Sequence, residues 1–189
     1  MNAPNTSQPA QTAPSPERRA LLAAGGLAAA AGLGVAWWQS QQVPSEGLVT
    51  EAVPGFWALQ WDAPQGGVVN LQDFRGRPLL INFWATWCPP CVEELPLINA
   101  FYDQNKANGW QVIGLAVDKL SAVQAFLKKM PLQFPVGLAG LSGADLGRSL
   151  GNLTGGLPFS VALGANGAVI QRKLGRLSED DLTAWSRLK

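Results

Sequence analysis

Leu79-Leu80-Ile81-Asn82-Phe83-Trp84-Ala85-Thr86-Trp87-Cys88-Pro89-Pro90-Cys91-Val92-Glu93-Glu94-Leu95-Pro96 organises the chain. The run from Leu79 to Trp84 is apolar, as expected of a central strand covered on both faces. From Val92 to Asn105, Leu95, Ile98, Phe101 and Tyr102 recur at helical spacing, and Pro96 is expected to kink that helix. Between the two runs lie the only two cysteines of the protein, Cys88 and Cys91. A Cys-x-x-Cys pair at a strand-to-helix junction has the placement of a redox-active dithiol.

Pro89 and Pro90 fit a helix only in its first turn, which puts Cys88 at or near the N-cap. A thiolate there meets the positive end of the helix dipole, and its pKa falls. Cys88 therefore reads as the nucleophile. Cys91, one turn further in and more shielded, reads as the resolving thiol. The two prolines remove two N–H donors from that turn, so the expected depression is moderate and the pair fairly reducing. Two other readings stay open. A structural disulfide closing so short a loop would stabilise only weakly. A pair of thiolates could also hold Cu(I).

Composition narrows the chemistry. The chain has 189 residues, 47% of them apolar, enough for one domain with extras. Fourteen basic and 13 acidic residues give a net charge of +1, which builds no field for nucleic acid. The chain contains no histidine, so Cys-His dyads and His-ligated metal sites are excluded. Two cysteines cannot close a four-ligand zinc site, and no metal or cofactor is expected.

Residues 1–17 are rich in Pro, Ala, Gln, Ser and Thr and read as a disordered cytoplasmic N-terminus. Residues 18–38 read as a signal anchor and transmembrane helix. Arg18 and Arg19 precede an uncharged run from Ala20, and Trp37 and Trp38 close it at an interface. That orientation places the remainder outside the cytoplasmic membrane. A cleaved signal ending near Gly34-Val35-Ala36, a twin-arginine type of signal and a buried Ala-rich helix are the other readings. Residues 39–52 form a polar linker, spanning about 20 Å as a flexible coil. The folded domain, 53–189, is thereby expected to stay near the membrane.

Within that domain, Phe56 to Trp61 and Val68 to Leu71 alternate around a turn-rich stretch and predict an N-terminal β-hairpin. Leu71 to Arg77 predicts a helical turn. Trp110 to Val117 predicts a buried strand, Ala122 to Lys129 a helix and Ala144 to Leu150 a short helix. Phe159 to Leu163 and Ala168 to Lys173 flank Gly164-Ala165-Asn166-Gly167 as a hairpin, and Ser178 is an N-cap for a last helix. The fold class is α/β, a mixed central sheet with helices on both faces.

Asn82 to Pro96 resembles the TlpA/ResA-like group of membrane-anchored thiol–disulfide oxidoreductases, and the likeness runs from about Ala52 to the C-terminus. The resemblance implies a thioredoxin-like fold, with Asn82 in place of the buried aspartate of general thioredoxins. It implies a nucleophilic Cys88, a resolving Cys91 and a Glu94 that tunes thiol acidity and proton transfer. Glu94 as a solvated charge on the helix face is the alternative. Pro158, in Gly155-Gly156-Leu157-Pro158-Phe159, matches a cis-proline that faces the disulfide. Trp87, Pro89, Pro90, Leu157 and Pro158 are the expected substrate contacts. Trp84 and Phe83 read as core. Asp118 reads as a cap or strand-end residue without a chemical role. One departure is the stretch Gly137-Leu138-Ala139-Gly140-Leu141 after Pro135-Val136, where family members often carry an acidic residue.

The resemblance further implies a reductase of disulfides in periplasmic proteins, as in cytochrome c maturation or assembly of oxidase copper sites. A bacterial inner-membrane location with a single pass, a membrane-embedded thiol reductase as electron donor, disulfide-bearing protein substrates and a monomeric state are expected. A disulfide-forming oxidant, a thiol peroxidase and a non-enzymatic Cu(I)-binding or docking module are the alternatives. Peroxidase chemistry wants Thr-x-x-Cys, whereas the spacing here is Thr86-x-Cys88.

Overall fold

The computed structural model describes residues 53–188. The expected N-terminus (1–17), membrane span (18–38) and linker (39–52) lie outside the described residues. Among those described, no helix is long and apolar enough to cross a membrane.

The chain opens with a 3-10 turn at Phe56–Ala58 and a short antiparallel ribbon of β1 (Gln60–Asp62) and β2 (Val68–Asn70). A second 3-10 turn at Leu71–Phe74 leads into β3 (Leu79–Trp84). Then follow α1 (Pro89–Asn105), β4 (Gln111–Ala116), α2 (Leu120–Lys129), β5 (Val136–Leu138) and α3 (Gly140–Ser149). β6 (Phe159–Leu163), β7 (Val169–Leu174) and α4 (Glu179–Ser186) complete the fold.

Five strands form one mixed sheet in the order β5-β4-β3-β6-β7. β3 pairs parallel with β4 and antiparallel with β6, so it lies at the centre. All six of its residues are buried. Leu80 and Trp84 face a cluster that contains Leu95 and Ile98 of α1 and Leu182 and Trp185 of α4. Leu79, Ile81 and Phe83 face a second cluster that contains Leu146 of α3 and Phe159. This two-sided burial is why β3 reads as an unbroken apolar run instead of an alternating one. It also places Asn82, whose side chain shares a face with Leu80 and Trp84, on the α1 side of the sheet.

Two sequence expectations need correction. Phe56 to Trp61 was expected to be one strand, but Phe56 and Trp57 are both buried and wound into a 3-10 turn. Pairing begins only at Gln60, after the Leu71 amide has bonded to the Leu59 carbonyl. The helix expected at Ala144 to Leu150 starts at Gly140 instead. Glycines at 140, 143 and 147 lower its intrinsic propensity and hide its first turn from pattern reading. At the last helix, Ser178 accepts from the Asp181 amide while the Asp181 carboxylate accepts from the Ser178 amide, a reciprocal capping box.

Candidate active site

The site grows from the end of β3. The Val117 amide bonds to the Trp84 carbonyl at 2.8 Å, which carries the β3–β4 pairing to the strand end. Thr86 then donates twice to Asp118 Oδ2, from its amide at 2.9 Å and from its hydroxyl at 2.6 Å. Asp118 Oδ1 also accepts from the Lys119 amide at 2.7 Å. Burial pushes the Asp118 pKa up, but the bonds from the Thr86 hydroxyl, Lys119 and Thr86 amides and the Lys119 charge outweigh it. The result lies below the usual aspartate value.

Cys88 is the N-cap of α1, with extended backbone, and Pro89 and Pro90 occupy the first helical turn. This is the placement their φ restriction and missing N–H groups dictate. Cys88 and Cys91 are joined in a disulfide, with Cα atoms 5.3 Å apart. Cys91 is fully buried and Cys88 5% exposed, whereas Trp87 beside them is 66% exposed. Pro89 and Pro90 are exposed on the same turn.

The Leu157–Pro158 peptide is cis. Pro158 is buried and immediately precedes Phe159, which pairs with Phe83 near the end of β3. The register thus brings the proline loop beside the strand end from which the cysteines emerge. A small cavity of about 80 Å³, lined by Phe83, Trp87, Val117, Asn152, Gly155 and Leu157 among others, lies between that loop and α3. Trp87 and Leu157 meet there, but Pro89, Pro90 and Pro158 do not line it.

Glu94 is 1% exposed, so it is not a solvated helix-face charge. It lies one turn beyond Cys91 on α1, at the i, i+3 spacing that shares a face. Asn82 Nδ2 donates to its Oε1 at 2.7 Å, and the Leu177 amide donates to its Oε2 at 2.7 Å. Asn82 Nδ2 also reaches Ser160 Oγ at 2.9 Å. Burial raises the Glu94 pKa from 4.5 to about 7, against the opposing bonds from Leu177 and Asn82 and the charges of Arg176 and Lys173. A carboxyl so placed can exchange a proton near neutral pH.

The sequence reading placed Asp118 at a strand end, where it lies just after β4, but did not pair it with Thr86, and it passed over Ser160 and the Leu177 amide. Ser160 had a legible signal, as the one hydroxyl in the apolar run Phe159 to Leu163. The Leu177 contact had none, because it is made by backbone 83 residues away from Glu94. Among the described residues no group of three or more metal-ligating side chains gathers.

The Redoxin family profile matches residues 49–185. Thiol-disulfide oxidoreductase ResA of Bacillus thuringiensis is 34% identical over 122 residues, 64% of this chain and 68% of that protein. Sporulation thiol-disulfide oxidoreductase A of Bacillus subtilis is 28% identical over 116 residues, 59% of this chain and 68% of that protein. A thioredoxin-related protein from Neisseria meningitidis serogroup B superposes with a TM-score of 0.60 at 27% identity, covering 68% of this chain and 96% of that one.

Proposed function

This chain belongs to the Redoxin family as a thioredoxin-fold thiol–disulfide oxidoreductase of the ResA/TlpA-like kind, and we propose that it works as a membrane-tethered reductase of extracytoplasmic protein disulfides. The observation that carries the direction of the reading is Cys88 at a helix N-cap whose first two helical residues are prolines. The helix start favours a thiolate, and the missing amides keep that stabilisation moderate. A dithiol of this kind remains a good donor of electrons.

In the reduced state, the Cys88 thiolate attacks one sulfur of a substrate disulfide and expels the other as a thiolate, which takes up a proton. Glu94, as carboxylate, accepts the proton of Cys91. The Cys91 thiolate attacks Cys88 Sγ, expels the second substrate sulfur as a thiolate that takes up a proton from solvent, and closes the Cys88–Cys91 disulfide, while Glu94 returns its proton to solvent. Two electrons and two protons have then passed to the substrate. Trp87 and Leu157, with Pro89, Pro90 and Pro158 around them, form the surface the substrate polypeptide lies against. Export and anchoring rest on the 18–38 segment, and the 39–52 linker keeps the site near the membrane. Cytochrome c maturation or assembly of an oxidase copper site supplies fitting substrates, with a membrane-embedded thiol reductase as electron source.

The reduction potential of the Cys88–Cys91 couple tests the direction. A value near or below about −270 mV, that of thioredoxin, is expected. One near about −120 mV, that of a strong oxidant, would make the chain a disulfide former instead.

A further inference from the structure

Asn82 has the one side-chain oxygen at this site that is buried without a partner, Oδ1. Its Nδ2 is fully used, toward Glu94 Oε1 and Ser160 Oγ. Glu94 Oε2 faces the Leu177 amide. Both carboxylate oxygens therefore meet donors, an arrangement suited to the anion. A protonated Glu94 has an O–H group that needs an acceptor, and in this setting it would meet an N–H at either oxygen. The unused acceptor belongs to Asn82.

The geometry points to Asn82 as a two-way adaptor for Glu94: its amide nitrogen donates to the carboxylate, and a half-turn of the carboxamide presents Oδ1 to the protonated acid. Ser160 serves both settings, because a hydroxyl accepts from an amide nitrogen and donates to an amide oxygen. The turned setting leaves the amide nitrogen in the place now held by Oδ1. It is therefore the higher of the two and persists only while the acid needs its acceptor. The adaptor lets one buried carboxyl hold or release a proton without stranding it against a donor. Asn82 and Ser160 are positioning residues that act through Glu94, and the inference rests on the proton role proposed for that residue. The charged groups around Glu94 belong to other pairs: Lys173 of β7 with Asp181, and Arg176 with Glu93. Cys91 precedes it by one turn.

The test is a titration of the full-length protein between pH 5 and 9, with ¹³C in the Glu carboxyl groups and ¹⁵N in the Asn carboxamides. The Asn82 carboxamide signals are expected to move with the midpoint of the Glu94 carboxyl, both amide protons shifting upfield as the pH falls and Glu94 takes up its proton. Carboxamide signals that stay still while Glu94 titrates would overturn the adaptor. Asn82→Leu is expected to raise the Glu94 midpoint by about one pH unit, tenfold in proton affinity, since a charge-assisted bond is lost from the anion and only a neutral one from the acid. An unmoved midpoint would also overturn it. If Asn82→Leu does not fold, the wild-type titration decides. The pH profile of the Cys88–Cys91 potential separates the two claims: a profile unchanged in Glu94→Gln, beside coupled Asn82 and Glu94 signals, removes the proton role of Glu94 and leaves the adaptor standing.

Discussion

Asp118 Oδ2 takes both hydrogen bonds that Thr86 can offer forward, one from its amide and one from its hydroxyl. Asp118 follows β4, and Thr86 lies two residues before Cys88. The end of one strand thus holds the loop that carries Cys88 on the next. Bonds to a charged acceptor are the stronger kind, and stranding the Thr86 donors costs about 1–3 kcal/mol.

Asp118→Ala is therefore expected to lower stability by about 1–3 kcal/mol in urea unfolding. It should also slow exchange with a protein disulfide by about tenfold, because the loop carrying Trp87 and Cys88 loses its tether. The pH dependence has a definite sign. The native Asp118 pKa lies below the ordinary 3.8, so its stabilisation is complete above that value and is lost as pH falls through the native pKa. Asp118→Ala should be less sensitive than wild type to acid below about pH 4. Equal acid sensitivity would remove Asp118 from the account.

Glu94 has the opposite sign. Its native pKa of about 7 lies above the ordinary 4.5, so between the two the native chain holds a proton that the unfolded chain has released. Stability of the oxidised protein should fall as pH rises through this window, by about 3 kcal/mol from this group. Glu94→Gln should lose that slope. Urea unfolding at pH 5 and pH 8, with the disulfide intact, measures it. Parallel losses in wild type and variant would mean that the carboxyl is not held neutral by burial.

The contrast between these two acids marks how far the sequence could be read. Cys88 at the N-cap and Pro89 and Pro90 in the first turn were legible because the constraint is local: proline fits few places in a helix. β3 was legible from its apolar run alone. Glu94 and Asp118 look alike in the sequence, both polar residues near an element end or first turn. Both accept hydrogen bonds from partners 12 to 83 residues away, and their difference comes from burial, nearly complete for Glu94 and partial for Asp118, which is set by the tertiary fold. The first arm of the ribbon misled because Phe56 and Trp57 are buried together, against the alternation that a strand requires.

Trp87 is the most exposed aromatic neighbour of the cysteines, and it shares a cavity with Leu157. Trp87→Ala should leave stability within about 0.5 kcal/mol of wild type, as surface changes do. Exchange with a protein disulfide should slow, by about tenfold, while exchange with a small disulfide such as oxidised glutathione should change little. Equal slowing with both would mean that Trp87 shapes Cys88 itself and not the docking surface.

Gly137 opens the departing stretch 137–141, and its surroundings exclude an acidic side chain at that one position. It is buried in β5, and a Cβ there would lie 2.9 Å from Trp61 Cβ and 3.2 Å from Leu115 Cδ2. Trp61 belongs to β1, so the ribbon packs directly on the backbone of the edge strand. An acidic side chain would have to displace the indole and place its charge beside Leu115. Gly137→Ala should destabilise by about 1–3 kcal/mol, the usual cost of overpacking a filled site. Trp61→Ala, which empties the facing position, should relieve much of that. A double-mutant cycle on thermal or urea unfolding reads the coupling, expected at about 0.5–3 kcal/mol for groups in contact. Additive effects of the two substitutions would separate Gly137 from Trp61 and leave the glycine without this explanation.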